Sequence, residues 1–157
     1  MTANKENEFL KAKKIENGTV IDHIPKGSAL KVLSILKIGD DFPGTVTVLM
    51  NVPSSHYGEK DIIKIEGKKL AKKEVAQIAL IAPTASVNTI QNFSVVDKYV
   101  VQTPKKLEGV MPCPNPLCIT RLEGEPNLLV EQTNPFRVRC AYCEKVYSED
   151  DLKAALS

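Results

Sequence analysis

The order of apolar periods along this chain predicts an α+β protein: a ferredoxin-like antiparallel sheet with two helices on one face, then a small C-terminal zinc-binding β domain. Three observations carry that reading. Stretches with the period of a strand or a helix follow one another as strand, helix, strand, strand, helix, strand. A polar, aperiodic stretch at 102–109, holding Pro104 and two lysines, then interrupts them. Beyond it stand the chain's four cysteines, Cys113, Cys118, Cys140 and Cys143, spaced Cys-x4-Cys and Cys-x2-Cys across a gap of twenty-one residues.

Taken in order, residues 1–13 are polar and lysine-rich and read as a flexible arm. The stretch 15–24 is rich in β-branched residues and closed by Pro25, which suits a strand. Gly27-Ser28 suits a helix start; Ala29, Val32, Leu33 and Leu36 recur at helical spacing, and Gly39 stands where a C-terminal cap belongs. After a turn at 40–44, Val46, Val48, Met50 and Val52 alternate with Thr45, Thr47, Leu49 and Asn51, so one strongly buried strand face is expected. A loop at 53–58 and a strand at 60–66 complete a hairpin. The second helix spans 70–82, with Val75, Ile78, Ala79 and Ala82 as its apolar stripe and Pro83 as its stop. Stretches 86–90 and 93–101 are extended about a bend at Gln91-Asn92. Placing the boundary in 102–109 gives two domains, 1–101 and 102–157. In the second, 128–131, 136–140 and 145–147 suit short strands, and Ser148-Glu149-Asp150-Asp151 opens a terminal helix carrying Leu152 and Leu156 in the manner of a capping box.

Two close cysteine pairs joined by a medium loop are what a tetrahedral Zn²⁺ requires. Each short pair lets the chain double back until two sulfurs face one point, and Pro112, Pro114, Asn115 and Pro116 supply bends around the first. Disulfides need an oxidising compartment that nothing here signals, and a redox Cys-x2-Cys leaves Cys113 and Cys118 unexplained. A catalytic zinc keeps an open position, whereas four thiolates close the shell, so one structural Zn²⁺ is expected. A domain of some fifty residues needs such a staple, which contributes on the order of 10 kcal/mol or more to folding.

Composition narrows the function. The formal charge is +2, and four thiolates with a divalent ion bring the loaded chain to neutrality, which argues against nonspecific nucleic-acid binding. Aromatics make up 5% and Trp is absent, so base-stacking platforms are scarce. The opening residues are polar, no apolar run is long enough to span a bilayer, and reduced thiols suit the cytoplasm. Phosphate loops, dinucleotide fingerprints and hydrolase motifs are missing from the sequence, and no carboxylate run has an acid/base partner, so the residues supply no convincing active site.

Lys60 and Lys64 lie on one side of a predicted strand, where two ammonium groups can hold a polyphosphate. Asp22 and His23 close the first strand, and Asn88 and Lys98 add polar and cationic groups near the sheet's end. Pattern alone suits lysines on a solvated face better. His23 and His56, the only histidines, have no partner at ligand spacing. Lys68, Lys69, Lys72 and Lys73 surround the start of the second helix and read as a solvated face.

Particular stretches nevertheless resemble a known family. Gly18-Thr19-Val20-Ile21-Asp22-His23-Ile24-Pro25, Gly58-Glu59-Lys60-Asp61-Ile62-Ile63-Lys64-Ile65, Ala82-Pro83 with Val87-Asn88-Thr89-Ile90, Cys113-Pro114-Asn115 with Cys118-Ile119, and Cys140-Ala141-Tyr142-Cys143-Glu144 are similar to the regulatory chain of aspartate carbamoyltransferase. The resemblance runs in order from about Lys13 to the end. It implies a non-catalytic subunit whose N-terminal domain binds nucleoside triphosphates, CTP as inhibitor and ATP as activator. It further implies a zinc domain docked on the catalytic chain and a regulatory-chain homodimer. On this resemblance, Asp22 and His23 sit at the effector pocket, Lys60 and Lys64 meet ribose or phosphate, and Lys98 meets phosphate. Asn88, Ile90, Val95, Lys14 and Ile15 line the pocket, and the four cysteines are the zinc ligands. Two segments depart from the family pattern: Phe93 stands where Tyr occurs, and Ala12-Lys13-Lys14 replaces a segment with an acidic residue. A zinc-ribbon nucleic-acid module, betrayed by steeply salt-dependent oligonucleotide binding, and a small nucleotide-acting enzyme, betrayed by turnover, are the competing readings.

Overall fold

The structure, a computed structural model, describes residues 15–55, 58–133 and 135–156; the arm at 1–13, Lys14 and His56 lie outside them. Its first sheet is antiparallel, built from β1 (Gly18–Pro25), β2 (Val46–Ser54), β3 (Gly58–Glu66), β4 (Ser86–Gln91) and β5 (Ser94–Val100), in the order β2-β3-β1-β4-β5. The first four strands give the ferredoxin-like order, and β5 extends it by one edge strand. Helices α1 (Ala29–Ile35) and α2 (Lys72–Ile81) supply the two crossovers.

Alternation decides which face the helices cover. Ile21 faces Ile63 on one side and Val87 on the other, and Ile65 follows two residues on; all four are buried against Ala29, Val32, Ile78 and Ala79. The residues between them, Val20, Lys64 and Asn88, are aligned across the strands on the helix-free face. Gly18 lets β1 close on β3 at one end: a Cβ there would lie 2.1 Å from the Ile65 carbonyl oxygen.

A second antiparallel sheet contains β6 (Lys106–Glu108), β7 (Asn127–Thr133), β8 (Phe136–Cys140) and β9 (Val146–Ser148), followed by α3 (Glu149–Leu156). Its core joins Leu107, Leu128, Val138 and Leu152 to three of the cysteines. Helix α2 serves both cores: Ile78 and Ala79 face the first sheet, while Ala76 and Leu80 pack with the second. The Gln77 side chain also donates to the Val110 carbonyl. Leu156 touches both clusters. Among the described residues no helix is long and apolar enough to cross a membrane.

Several expectations need correction. Gly39 does not cap α1. Lys37 takes the left-handed conformation (φ 55°), and the N–H groups of Lys37 and Ile38 donate to the Ser34 and Leu33 carbonyls in a Schellman closure. The start of α1 is capped from a distance, since Asp61, wholly buried on β3, accepts from the N–H groups of Gly27 and Ala29 at 3.0 and 3.2 Å and from Asn51 at 3.0 Å. Asn51 (φ 61°) belongs to a bulge in β2, which breaks the expected alternation and leaves Met50 exposed. The bend between β4 and β5 falls one residue later than expected, at Asn92 and Phe93, both with positive φ as a two-residue type I′ turn requires. Within the boundary stretch 102–109 the sequence reading missed a strand, since Lys106–Glu108 pairs with β7 and buries Leu107. One polar strand with a single apolar residue has no period to detect. The terminal helix starts as expected, with Ser148 and Asp151 bonded reciprocally.

Candidate functional site

The helix-free face of the first sheet holds a cavity of about 270 Å³ lined by Ile15, Val20, Asp22, Lys64, Asn88, Ile90, Phe93 and Val95. Register explains the gathering. Lys64, Val20, Asn88 and Lys98 form one row across β3, β1, β4 and β5, and Gly18, Ile90 and Val95 form the next toward the β4–β5 turn. The turn end is therefore apolar, with Ile15 buried and Phe93 beside it. The other end carries charge: Lys60 Nζ lies 3.0 Å from Asp22 Oδ1. Lys64 is nearly buried, and that loss of water lowers its pKa, with Asp22 opposing the shift. Such a cavity suits a ligand with a flat apolar part and an anionic part.

Of the ten residues expected at an effector pocket, Ile15, Asp22, Lys64, Asn88, Ile90 and Val95 line this cavity. Lys60 is joined to it through Asp22, and Lys98 stands across the ladder from Asn88 on the exposed strand β5. His23 sits in a bulge of β1 at φ 56°, with its ring Nδ1 3.1 Å from Ser86 Oγ and its N–H donating to Asp22 Oδ1 at 2.6 Å, so it shapes the rim without lining the cavity. Lys14 is outside the described residues. Val20 and Phe93 were not expected as lining. Val20 shares the parity of Asp22, a signal that was present; Phe93 reaches the cavity only because the I′ turn lies under it.

The four cysteine sulfurs lie within 4.8 Å of one another. Cys113 and Cys143 are 3.7 Å apart and Cys118 and Cys140 3.8 Å, far from disulfide length. A tetrahedral thiolate site with bonds of about 2.3 Å has edges of about 3.8 Å. The donor set therefore fits a four-coordinate ion. The N–H groups of Tyr142 and Cys143 point at Cys140 Sγ at 3.4 and 3.5 Å, Thr120 Oγ1 lies 3.1 Å from Cys118 Sγ, and Tyr147 Oη lies 3.6 and 3.9 Å from Cys113 and Cys143. Burial pushes the Cys113 thiol up to about 12. Burial also acts upward on Cys143, but the Lys145 N–H and neighbouring groups bring it down to about 6. Burial first, then the two cysteines, raise the Tyr147 hydroxyl, which keeps its proton. On this sheet Arg137 and Arg139 both pair with Glu131.

Comparison with known proteins agrees with both halves. Residues 10–102 match the family described as "Aspartate carbamoyltransferase regulatory chain, allosteric domain", and residues 105–153 the one described as "Aspartate carbamoyltransferase regulatory chain, metal binding domain". The aspartate carbamoyltransferase regulatory chain of Pyrococcus horikoshii is 48% identical over 149 residues, covering 94% of this chain and 98% of that one. Those of Korarchaeum cryptofilum and Methanopyrus kandleri are 45% and 46% identical, covering 96% and 92% of this chain and 98% and 94% of theirs. With both domains matched in order and nearly the whole length covered, the chain belongs to the aspartate carbamoyltransferase regulatory chain family.

Proposed function

We propose that this chain is the non-catalytic subunit through which nucleoside triphosphates, CTP and ATP, control an aspartate carbamoyltransferase catalytic chain in the cytoplasm. Residues 1–101 receive the nucleotide, and residues 102–157 hold one structural Zn²⁺ and dock on the catalytic chain. The observation that carries this reading is the helix-free cavity, apolar at the turn and cationic toward Lys60 and Lys64. A base and ribose suit Ile15, Ile90, Phe93 and Val95; phosphates suit the lysines. The four-thiol cage favours Zn²⁺ by ligand softness and tetrahedral shape.

A nucleotide shifts activity only by binding the two states of the assembly with different affinity. Helix α2 supports the coupling, since it packs on the sheet that carries the cavity and on the core that carries the cysteines. A regulatory-chain homodimer is supported by β5, an edge strand whose residues are all exposed, Val95, Val96 and Val100 among them. Calorimetric titration of the zinc-loaded chain with CTP and ATP tests the reading. Binding is expected for the wild type and at least about tenfold weaker binding for Lys64→Ala, the size of one lost charge-assisted contact. Unchanged affinity in both Lys60→Ala and Lys64→Ala rejects the assignment.

A further inference from the structure

The sequence pattern assigns four ligands to the metal, but it says nothing of what holds the two cysteine pairs together. Groups close in sequence serve two of the sulfurs: the N–H groups of Tyr142 and Cys143 point at Cys140, and the Thr120 hydroxyl lies against Cys118 two residues away. Tyr147 differs. Its side chain comes from β9, beyond the second pair, and its hydroxyl lies 3.6 Å from Cys113 Sγ of the first pair and 3.9 Å from Cys143 Sγ of the second. Among the described residues it is the one side-chain hydroxyl that reaches a sulfur of each pair. The backbone fixes that reach: Tyr147 stands opposite the wholly buried Val138, and its ring packs on the second core.

We propose that Tyr147 is a positioning residue of the metal centre, its hydroxyl donating to Cys113 and Cys143 together and so clamping the two halves of the cage. The chemistry follows from charge. Four thiolates around a divalent ion leave two negative charges in a largely buried site. With the sulfurs ionised, the phenol holds the only proton of this trio, so it donates and they accept. Each donated bond draws charge from sulfur, lowers its attraction for a competing electrophile, and holds its orientation toward the ion. The inference rests on the metal reading above.

The test compares the full-length wild type with Tyr147→Phe, which keeps the ring and removes only the oxygen. Zn²⁺ retention is measured by competition with a metallochromic chelator at fixed pH. Co²⁺-loaded protein reports the sulfur-to-metal charge-transfer band. The expected result is about tenfold weaker Zn²⁺ retention, the lower end of what losing an outer-shell partner costs, with a displaced Co²⁺ band and an unchanged far-ultraviolet dichroism spectrum. Equal retention and an unmoved band overturn the proposal while leaving the metal reading standing. A wild-type chain that takes up no metal overturns both. A second measurement needs no substitution: with a spin-active cadmium isotope in the wild-type site, coupling from the Tyr147 hydroxyl proton to the metal supports the clamp, and coupling confined to backbone N–H protons overturns it.

Discussion

The cavity and the cysteine cage are assembled on opposite principles. The cage is local: two short loops each bring a pair of sulfurs to one point, and only one long connection closes it. The cavity is non-local: its lining comes from the segment before β1, from β1, β3, β4 and β5, and from a turn, and it exists only when four strands share one register. The first sheet rests on wholly buried isoleucines, whereas the second counts three cysteines among its core residues. One region is held by apolar packing and leaves one sheet face open beside its cavity. The other gathers four sulfurs into a donor set that fits a metal ion.

Cys140→Ser tests that division most severely. Cys140 is wholly buried, accepts two N–H groups and lies 3.8 Å from Cys118. Its loss removes a staple worth on the order of 10 kcal/mol. The second sheet is expected to unfold and docking on the catalytic chain to disappear, while the amide spectrum of the first sheet persists. Size-exclusion chromatography with the catalytic chain and two-dimensional NMR read the two halves separately. Stripping the ion from the wild type with a chelator is expected to give the same split.

Asp61→Ala strikes the other region. Three backbone N–H groups, from the start of α1 and the β2 bulge, lose their acceptor in a buried place. A loss of roughly 3 kcal/mol or more is expected in urea unfolding followed on the first sheet. Because Lys60 adjoins Asp61 on β3, nucleotide affinity is expected to fall as well. A loss confined to the second sheet would contradict the separation of the two cores.

The two regions also differ in how far they were legible. Spacing alone picked out the four cysteines whose sulfurs gather at one point, because a knuckle is a property of a few consecutive residues. The order of the first sheet was legible too, since each of its strands read as an extended stretch on its own residues. What stayed hidden depends on partners distant in sequence. Asp61 looks like one charge among many until β3 is seen to lie beside the loop at Gly27 and the bulge at Asn51. Lys37 gives no hint that it would adopt a left-handed cap, because Gly39 advertises itself better. Strand β6 is invisible because Leu107 is its only buried residue. Tyr147 reads as a strand residue, and only the folded cage brings its hydroxyl to two sulfurs.

Around the cavity, depth ranks the cations. Lys64 is nearly buried in the lining, whereas Lys98 stands on an exposed strand. Lys64→Ala is therefore expected to weaken nucleotide binding by about tenfold or more, and Lys98→Ala by only about two- to threefold, as a screened contact does. Titration calorimetry of both variants at one salt concentration checks the order. Equal losses would mean that phosphate charge is felt over the whole face rather than at the buried row.

Lys64 supplies the finest distinction, because burial acts on its proton as well as on its contacts. Its pKa is lowered from 10.5 chiefly by loss of water, with Asp22 acting the other way. Between the lowered folded value and the unfolded value near 10.5, the unfolded chain binds the extra proton. Stability of the first sheet is thus expected to rise with pH through that window, and the full cost of the buried charge is present below it. A phosphate partner reverses the balance, since it favours the charged ammonium. Nucleotide binding is then expected to take up a proton in the same window and to weaken as pH climbs through it. Calorimetry in buffers of different ionisation enthalpy measures the uptake. Lys64→Met, with no proton to exchange, is expected to abolish it. An uptake that survives in Lys64→Met would move the titrating group elsewhere on the cavity wall, and with it the seat of the phosphates.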